Sequence, residues 1–216
     1  MDLPIYVISY DNEERKNRMI NRFNILGCKN VTYLPGVSME DDRITSLKDR
    51  PNYNKIHFRV WATMLAHMDA VKKFYFETTE NICIICEDDI HISRKFNNVI
   101  PSIITDFNSF NLDVLLLGYL LPFKLKCDPI KYLYYKYSRD VWGAQMYMIS
   151  RKYAKYLIDK YTIEYAYENI GIKPYSSDWI ITKDGNKLMI YPMIAVEEGT
   201  ITTLSDDQSK FHKKCH

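Results

Sequence analysis

The sequence predicts an α/β fold in one domain, with a mostly parallel central sheet and helices on both faces. Short apolar runs rich in β-branched residues alternate with segments whose apolar side chains recur every three or four residues. That alternation feeds strands through crossover helices into a parallel sheet covered on both sides. The chain has 216 residues, enough for one full core and too few for two ordinary domains. Hydrophobic residues make up 47% and charged residues 26%, a balance that excludes a disordered chain.

Residues 3–9 read as a short buried first strand. Asp11 or Asn12 then caps a helix in which Met19, Ile20, Phe23 and Leu26 keep helical spacing, and Gly27 ends it. Residues 31–34 form a second strand, closed by Pro35-Gly36. Residues 38–54 are polar and turn-rich, with Pro51 among them, which predicts a mobile surface loop. Residues 56–77 give the clearest amphipathic helix, with Phe58, Trp61, Leu65, Met68, Val71 and Phe74 on one face. Residues 81–86 are the most apolar strand and run straight into Glu87-Asp88-Asp89. A helix or irregular segment follows to Phe107, then a buried strand at 112–117 ending at Gly118.

Residues 119–140 mix Lys124, Lys126, Lys131, Lys136 and Arg139 with six aromatics. The segment reads either as a hairpin on the core or as a surface for sugars or nucleic-acid strands. Residues 144–149 form a strand, and Ser150 caps a helix over 151–160. Ser176 or Ser177 caps a short helix around Trp179, and residues 188–191 are a last strand before Pro192. The domain is expected to occupy residues 1–204, leaving a polar, frayed tail at 205–216.

A formal net charge of +2, from 29 basic and 27 acidic residues, argues against a nucleic-acid binder that relies on overall basic excess. The longest apolar run, 112–123, is broken by Asp113 and Pro122 and falls short of the ~20 residues that span a bilayer. The N-terminus has no basic n-region and no small-residue cleavage site. A cytoplasmic protein without a transmembrane segment is the expectation. Abundant Ile, Asn, Lys and Tyr suit an AT-rich genome such as that of a large DNA virus, in which case the location would be host cytoplasm or virion. The five cysteines are odd in number and widely spaced. The one C-x-x-C, Cys83 to Cys86, encloses two Ile within an apolar strand, which predicts packed core thiols and not a zinc or redox site.

The strongest chemical feature is Glu87-Asp88-Asp89. Three adjacent carboxylates repel one another, and placed beyond a core strand they cost stability unless a cation joins them. Ligands of open α/β sheets bind beyond the carboxyl ends of the strands, where this triplet lies. Hard divalent cations such as Mn²⁺ or Mg²⁺ take carboxylate oxygens and leave positions for substrate phosphates. Side chains alternate along an extended segment, so Glu87 and Asp89 are expected to face one way and hold the metal. Asp88 then points elsewhere, to a backbone amide or a sugar hydroxyl. An exposed acidic turn is the plainer reading of the same residues.

Several motifs, in order, resemble glycosyltransferase family 25, the lipopolysaccharide and collagen β-galactosyltransferase group. Ser9-Tyr10-Asp11-Asn12-Glu13-Glu14-Arg15 through Met19 is similar to the family's N-L-D-R-x-x-R-x-x-x-M after the first strand. Ala62-Thr63-Met64-Leu65-Ala66-His67 resembles its G-C-x-L-S-H helix, and Ile84 through Asp89 its apolar strand plus E-D-D. Gly143, Tyr147, Ile149, Ser150, Arg151, Ala154 and Leu157 follow its G-x-x-x-Y-x-I-S-R-x-x-A-x-x-L pattern. Ser177-Asp178-Trp179, Tyr191-Pro192 through Glu198, and Ser205-Asp206 complete the series. Departures stand at Ser9, Ala62, Ala66 and Glu198, where the family carries Asn, Gly, Ser and Gln.

The resemblance implies a GT-A type fold, a UDP-sugar donor and a divalent metal. On that reading the chain moves galactose or glucose to a hydroxyl of a glycan, lipooligosaccharide or protein, with inversion and without a nucleic-acid partner. Ser9, Tyr10 and Arg15 would meet the donor, Tyr10 stacking on the base and Arg15 touching a phosphate; the alternative pairs Arg15 with Asp11. His67 either contacts the donor, braces the acidic turn or is a structural histidine. Asp88 would join the donor contacts, while Glu87 and Asp89 hold Mn²⁺. Asp178 is the candidate base for the acceptor hydroxyl, with Glu197 or Glu198 next in line. His212 or His216 could add a metal ligand from the tail. Two rival readings are a catalytically silent glycan- or protein-binding relative, motivated by the substitutions at 9, 62 and 66, and a nucleotidyltransferase. The latter would want a Gly-rich basic loop after the first strand, and residues 9–14 are neither.

Overall fold

The computed structural model describes residues 3–120, 132–137 and 141–198. Its frame is a seven-stranded sheet of order β2-β1-β3-β7-β5-β8-β6. The strands are β1 (Ile5–Ser9), β2 (Val31–Pro35), β3 (Ile82–Glu87), β5 (Val114–Leu120), β6 (Leu133–Tyr135), β7 (Trp142–Ser150) and β8 (Lys187–Tyr191). Strand β1 runs parallel to β2 and β3, and β5 parallel to β8. Strand β7 lies antiparallel between β3 and β5, and β6 is antiparallel to β8. The predicted mostly parallel α/β sheet is present, with β7 and β6 as its reversed members. A two-stranded ribbon joins β4 (Ile90–Ile92) to β9 (Ala195–Glu197).

Side-chain alternation along the strands sorts the core into two layers. Tyr6, Ile8, Cys83, Ile85, Tyr147 and Ile149 face one side, where α3 (Phe58–Glu77) and α5 (Arg151–Lys160) pack. Ile5, Val7, Ile84, Cys86, Met146 and Met148 face the other, under α1 (Glu13–Ile25) and α4 (Phe96–Ser109). Helices therefore cover both faces. Cys83 and Cys86 point to opposite layers and are buried, as a period of two demands for residues three apart.

Helix α3 forms because Trp61, Met64, Leu65, Met68, Val71 and Phe74 recur at helical spacing, and all six are buried. Each such side chain stabilises the fold by about 1.5–3 kcal/mol. Asn12 caps α1 by accepting from the Arg15 amide, while Asp11 takes a left-handed φ of 39°. Of the two candidate caps, Asn12 is the one used. Ser150 caps α5 and Ser176 precedes α7 (Ser177–Ile180).

The 38–54 segment corrects the expectation of a mobile loop. It contains α2 (Asp42–Thr45) and a 3-10 turn at Tyr53–Lys55, and it buries Ile44 and Leu47. Asp41 accepts from the Arg43 amide, and the Arg43 guanidinium joins Asp41 to Asp69 of α3 at 2.7 Å each. Two apolar residues three apart give one helical turn enough to bury, which is too little to stand out as a period. A further short helix, α6 (Ile163–Glu168), follows α5. Most of the 119–140 basic-aromatic segment, the 205–216 tail with His212 and His216, and the expected boundary at 204 lie outside the described residues.

Candidate active site

The carboxyl end of β3 sits beside that of β1, with Ile8 opposite Glu87. Because β7 is reversed, its first residues reach the same end, and Met146 pairs with Cys86. The β4–β9 ribbon closes over this end. Its approach is so close that a Cβ on Gly118 would lie 2.9 Å from the Ala195 carbonyl oxygen. Together these edges surround a cleft of about 590 Å³.

The predicted site residues converge here. Tyr10, Arg15, His67, Glu87, Asp88, Asp89 and Asp178 all line the cleft. Ser9 stands one step behind: it is buried, and its hydroxyl donates to Asp88 Oδ2 at 2.6 Å. Tyr10 is 58% exposed at the rim, packed so tightly on Gly36 that a Cβ there would lie 2.6 Å from the Tyr10 ring.

The acidic triplet is arranged differently from strict alternation. The chain bends at Asp88 and Asp89 once β3 ends at Glu87, so the period of two stops there. Asp88 and Asp89 share one cation: the Arg15 guanidinium reaches Asp88 Oδ1 at 3.0 Å and Asp89 Oδ2 at 2.6 Å. Arg15 is thus paired with the triplet, and not with Asp11. Glu87 instead meets His67 Nε2 at 3.3 Å. His67 is fully buried, and Tyr147 Oη lies 2.9 Å from its Nδ1. Burial pushes the His67 pKa down to about 4, although Asp178 works to raise it. The ring is therefore neutral at pH 7. One tautomer satisfies both neighbours: Tyr147 donates to Nδ1, and Nε2–H donates to Glu87.

Glu197, second in line as the base on sequence grounds, is a full member of the site. It is 7% exposed, lines the cleft, and accepts from Gln145 Nε2 at 3.5 Å. Burial, then the charges of Asp89 and Glu87, raise its pKa to about 8. Burial, then Asp178 and Asp88, raise Glu87 to about 7 against the pull of Arg15. Asp89 also rises to about 7, from burial first and Glu87 second. Glu198 turns away to Arg22 and Arg18, which outweigh the upward effect of burial and hold it below its usual range. Gln145 and Trp142 also line the cleft and carried no sequence signal. Gln145 falls in the predicted strand 144–149, whose pattern spoke only of burial, and Trp142 lies two residues before it, at the start of β7.

Asp178 is fixed by its neighbours. Its Oδ1 accepts the Gly143 and Ala144 amides at 2.9 and 3.0 Å, which ties α7 to the start of β7. Among the described residues, no group of three or more His, Cys, Asp or Glu side chains converges closely enough to hold a metal. A site of two carboxylates with open positions is the sort that hard divalent cations use when substrate phosphates complete the shell. Asp89 Oδ1 fits that use, being a buried acceptor with no hydrogen bond among the described residues.

No family model matches the chain, and no curated protein does. Among solved structures, HddC from Yersinia pseudotuberculosis is 12% identical, with 98% of this chain and 99% of that one covered and a TM-score of 0.46. The same protein complexed with GMP-PN gives 15% identity, the same coverage and a TM-score of 0.43. A glycosyltransferase involved in the glycosylation of the major capsid of PBCV-1 is 12% identical over 97% of this chain and 98% of that one, with a TM-score of 0.42. Likenesses this distant assign neither activity nor ligand. No described helix is long and apolar enough to cross a membrane.

Proposed function

We propose that the chain is a glycosyltransferase of the family 25 kind, moving a hexose, galactose or glucose, from a UDP-sugar to an acceptor hydroxyl with inversion. The observation that carries this reading is the gathering of Glu87, Asp88, Asp89 and Asp178 around one cleft at the carboxyl ends of β1 and β3. Acidic residues at that end of an open α/β sheet suit a ligand that brings its own cations and phosphates.

In the proposed reaction an Asp178 carboxylate oxygen takes the proton of the acceptor hydroxyl. The acceptor oxygen then bonds to the anomeric carbon, and the bond from that carbon to the diphosphate oxygen breaks, its electron pair leaving with UDP. Two amides on Oδ1 fix the orientation of the carboxylate, the kind of pre-positioning that acid–base catalysis needs. Tyr10 at the rim offers an aromatic face for the uracil base. Glu87 and Asp89 would hold Mn²⁺ or Mg²⁺, which supplies charge neutralisation for the leaving diphosphate. Ser9 would keep Asp88 oriented from behind. The acceptor is defined only as a class, a glycan, lipooligosaccharide or protein hydroxyl.

Isothermal titration of UDP with and without Mn²⁺ tests the reading, and metal-dependent binding is expected. UDP that binds equally weakly in both would overturn it. Slow release of UDP from UDP-galactose or UDP-glucose without acceptor separates an active enzyme from a silent binding relative.

A further inference from the structure

Arg15 holds the centre of this site in an incomplete arrangement. It joins Asp88 and Asp89 at 3.0 and 2.6 Å, yet its own Nε is buried with no hydrogen bond among the described residues. Asp89 Oδ1, across the same ion pair, is likewise buried and unsatisfied. An unpaired buried donor or acceptor is costly, so a pairing that leaves one of each is a compromise. The two orphans are complementary in kind. The Asp89 oxygen wants a cation, and the Arg15 nitrogen wants an anion. A divalent cation carried with a diphosphate offers both at once.

We propose that Arg15 is an exchangeable internal counter-ion: it neutralises Asp88 and Asp89 until a divalent cation, held through Asp89 with Glu87, supplies the positive charge in its place, and it then pairs with the donor's diphosphate. This rests on the transferase reading above and adds how its two ligands depend on each other. The partners of the two aspartates make the exchange feasible. Asp88 keeps the Ser9 hydroxyl at 2.6 Å when Arg15 leaves, and the Asp89 backbone carbonyl keeps the Glu198 amide at 2.7 Å. The acidic turn therefore stays in place while its counter-ion changes. Arg15 has room to move, because its side chain is 30% exposed along the cleft. Either ligand alone meets an obstacle. The cation must displace a guanidinium with nowhere better to go, and the diphosphate meets carboxylates that no metal ion has neutralised.

The test is the affinity of the full chain for Mn²⁺ alone and for UDP at saturating Mn²⁺, by titration calorimetry and by the spin-resonance signal of free Mn²⁺. Arg15→Met should bind Mn²⁺ alone about tenfold or more tightly than the parent, and UDP with Mn²⁺ about tenfold or more weakly. Removing one charge-assisted hydrogen bond, or the competition from one, changes affinity by about that factor. Arg15→Lys keeps the charge but replaces the guanidinium, one terminal nitrogen of which reaches both aspartates, with an ammonium that has no further nitrogens for the diphosphate, so it should fall between, and it decides the matter if the methionine variant fails to fold. Mn²⁺ affinity that is unchanged or weaker in these variants overturns the exchange. A parent chain that binds no UDP with Mn²⁺ overturns the transferase reading and the diphosphate half with it, and Mn²⁺ alone then decides the other half.

Discussion

Arg151 and Arg15 sit at opposite ends of β3 and are used in opposite ways. Arg151 follows the strand that pairs with the start of β3, and its guanidinium donates to the carbonyls of Phe74, Tyr75, Thr78 and Glu80. It also lies over the rings of Phe74 and Tyr75. Its donors close the end of α3 on backbone carbonyls. Arg15, at the other end, faces two carboxylates that outnumber it, and its buried Nε has no hydrogen bond among the described residues. The difference is one of supply: the Arg151 guanidinium finds its acceptors within the fold, whereas the Arg15 Nε finds none among the described residues.

The sharpest way to break this contrast is at the Arg15 end. Asp178→Asn keeps an oxygen for the Gly143 and Ala144 amides and removes the base, so transfer should fall about 10³-fold while the melting temperature moves little. Initial rates of UDP release with acceptor present measure it, and a rate within about threefold of the parent would remove Asp178 from the chemistry. At the other end, Arg151→Ala should cost about 2–4 kcal/mol in urea unfolding and leave UDP affinity unchanged, because it strips several carbonyls of one charged donor.

The smallest effect sharpens the comparison through pH. Glu87, Asp89 and Glu197 have folded-state pKa values raised to about 7, 7 and 8, so between their ordinary values and those the folded chain holds more protons than the unfolded one. Their ionisation lowers stability as pH rises. His67, depressed to about 4, acts oppositely, and its contribution is complete above its ordinary value of 6.5. From pH 6.5 to 8 the carboxylates act unopposed, and the melting temperature should fall by about 3–6 °C in calorimetry. Glu197→Gln should flatten that fall, and an equal fall in the variant would show that the repulsion lies elsewhere.

Much of the fold was legible because its elements repeat. Strands β1, β3 and β7 and helices α1, α3 and α5 each present enough buried residues for a period to show, and the cap at Ser150 stands where its chemistry demands. The three-residue strands β4 and β9 carry no period, although their ribbon brings Glu197 to the cleft. The burial of His67 was hidden for a related reason: only Tyr147, 80 positions away, gives its second nitrogen a partner. The acidic triplet was legible as a cluster, but its internal division was not. Alternation along an extended chain assigned Glu87 and Asp89 to one side, whereas the bend after β3 lets Arg15 gather Asp88 and Asp89.

The ribbon also sets an order of events during synthesis. Glu198 hands its amide to Asp89 only after nearly the whole described chain has left the ribosome. Arg15 and the triplet both precede Glu198 in the chain, so the two members of that ion pair are made well before the residue whose amide closes the turn.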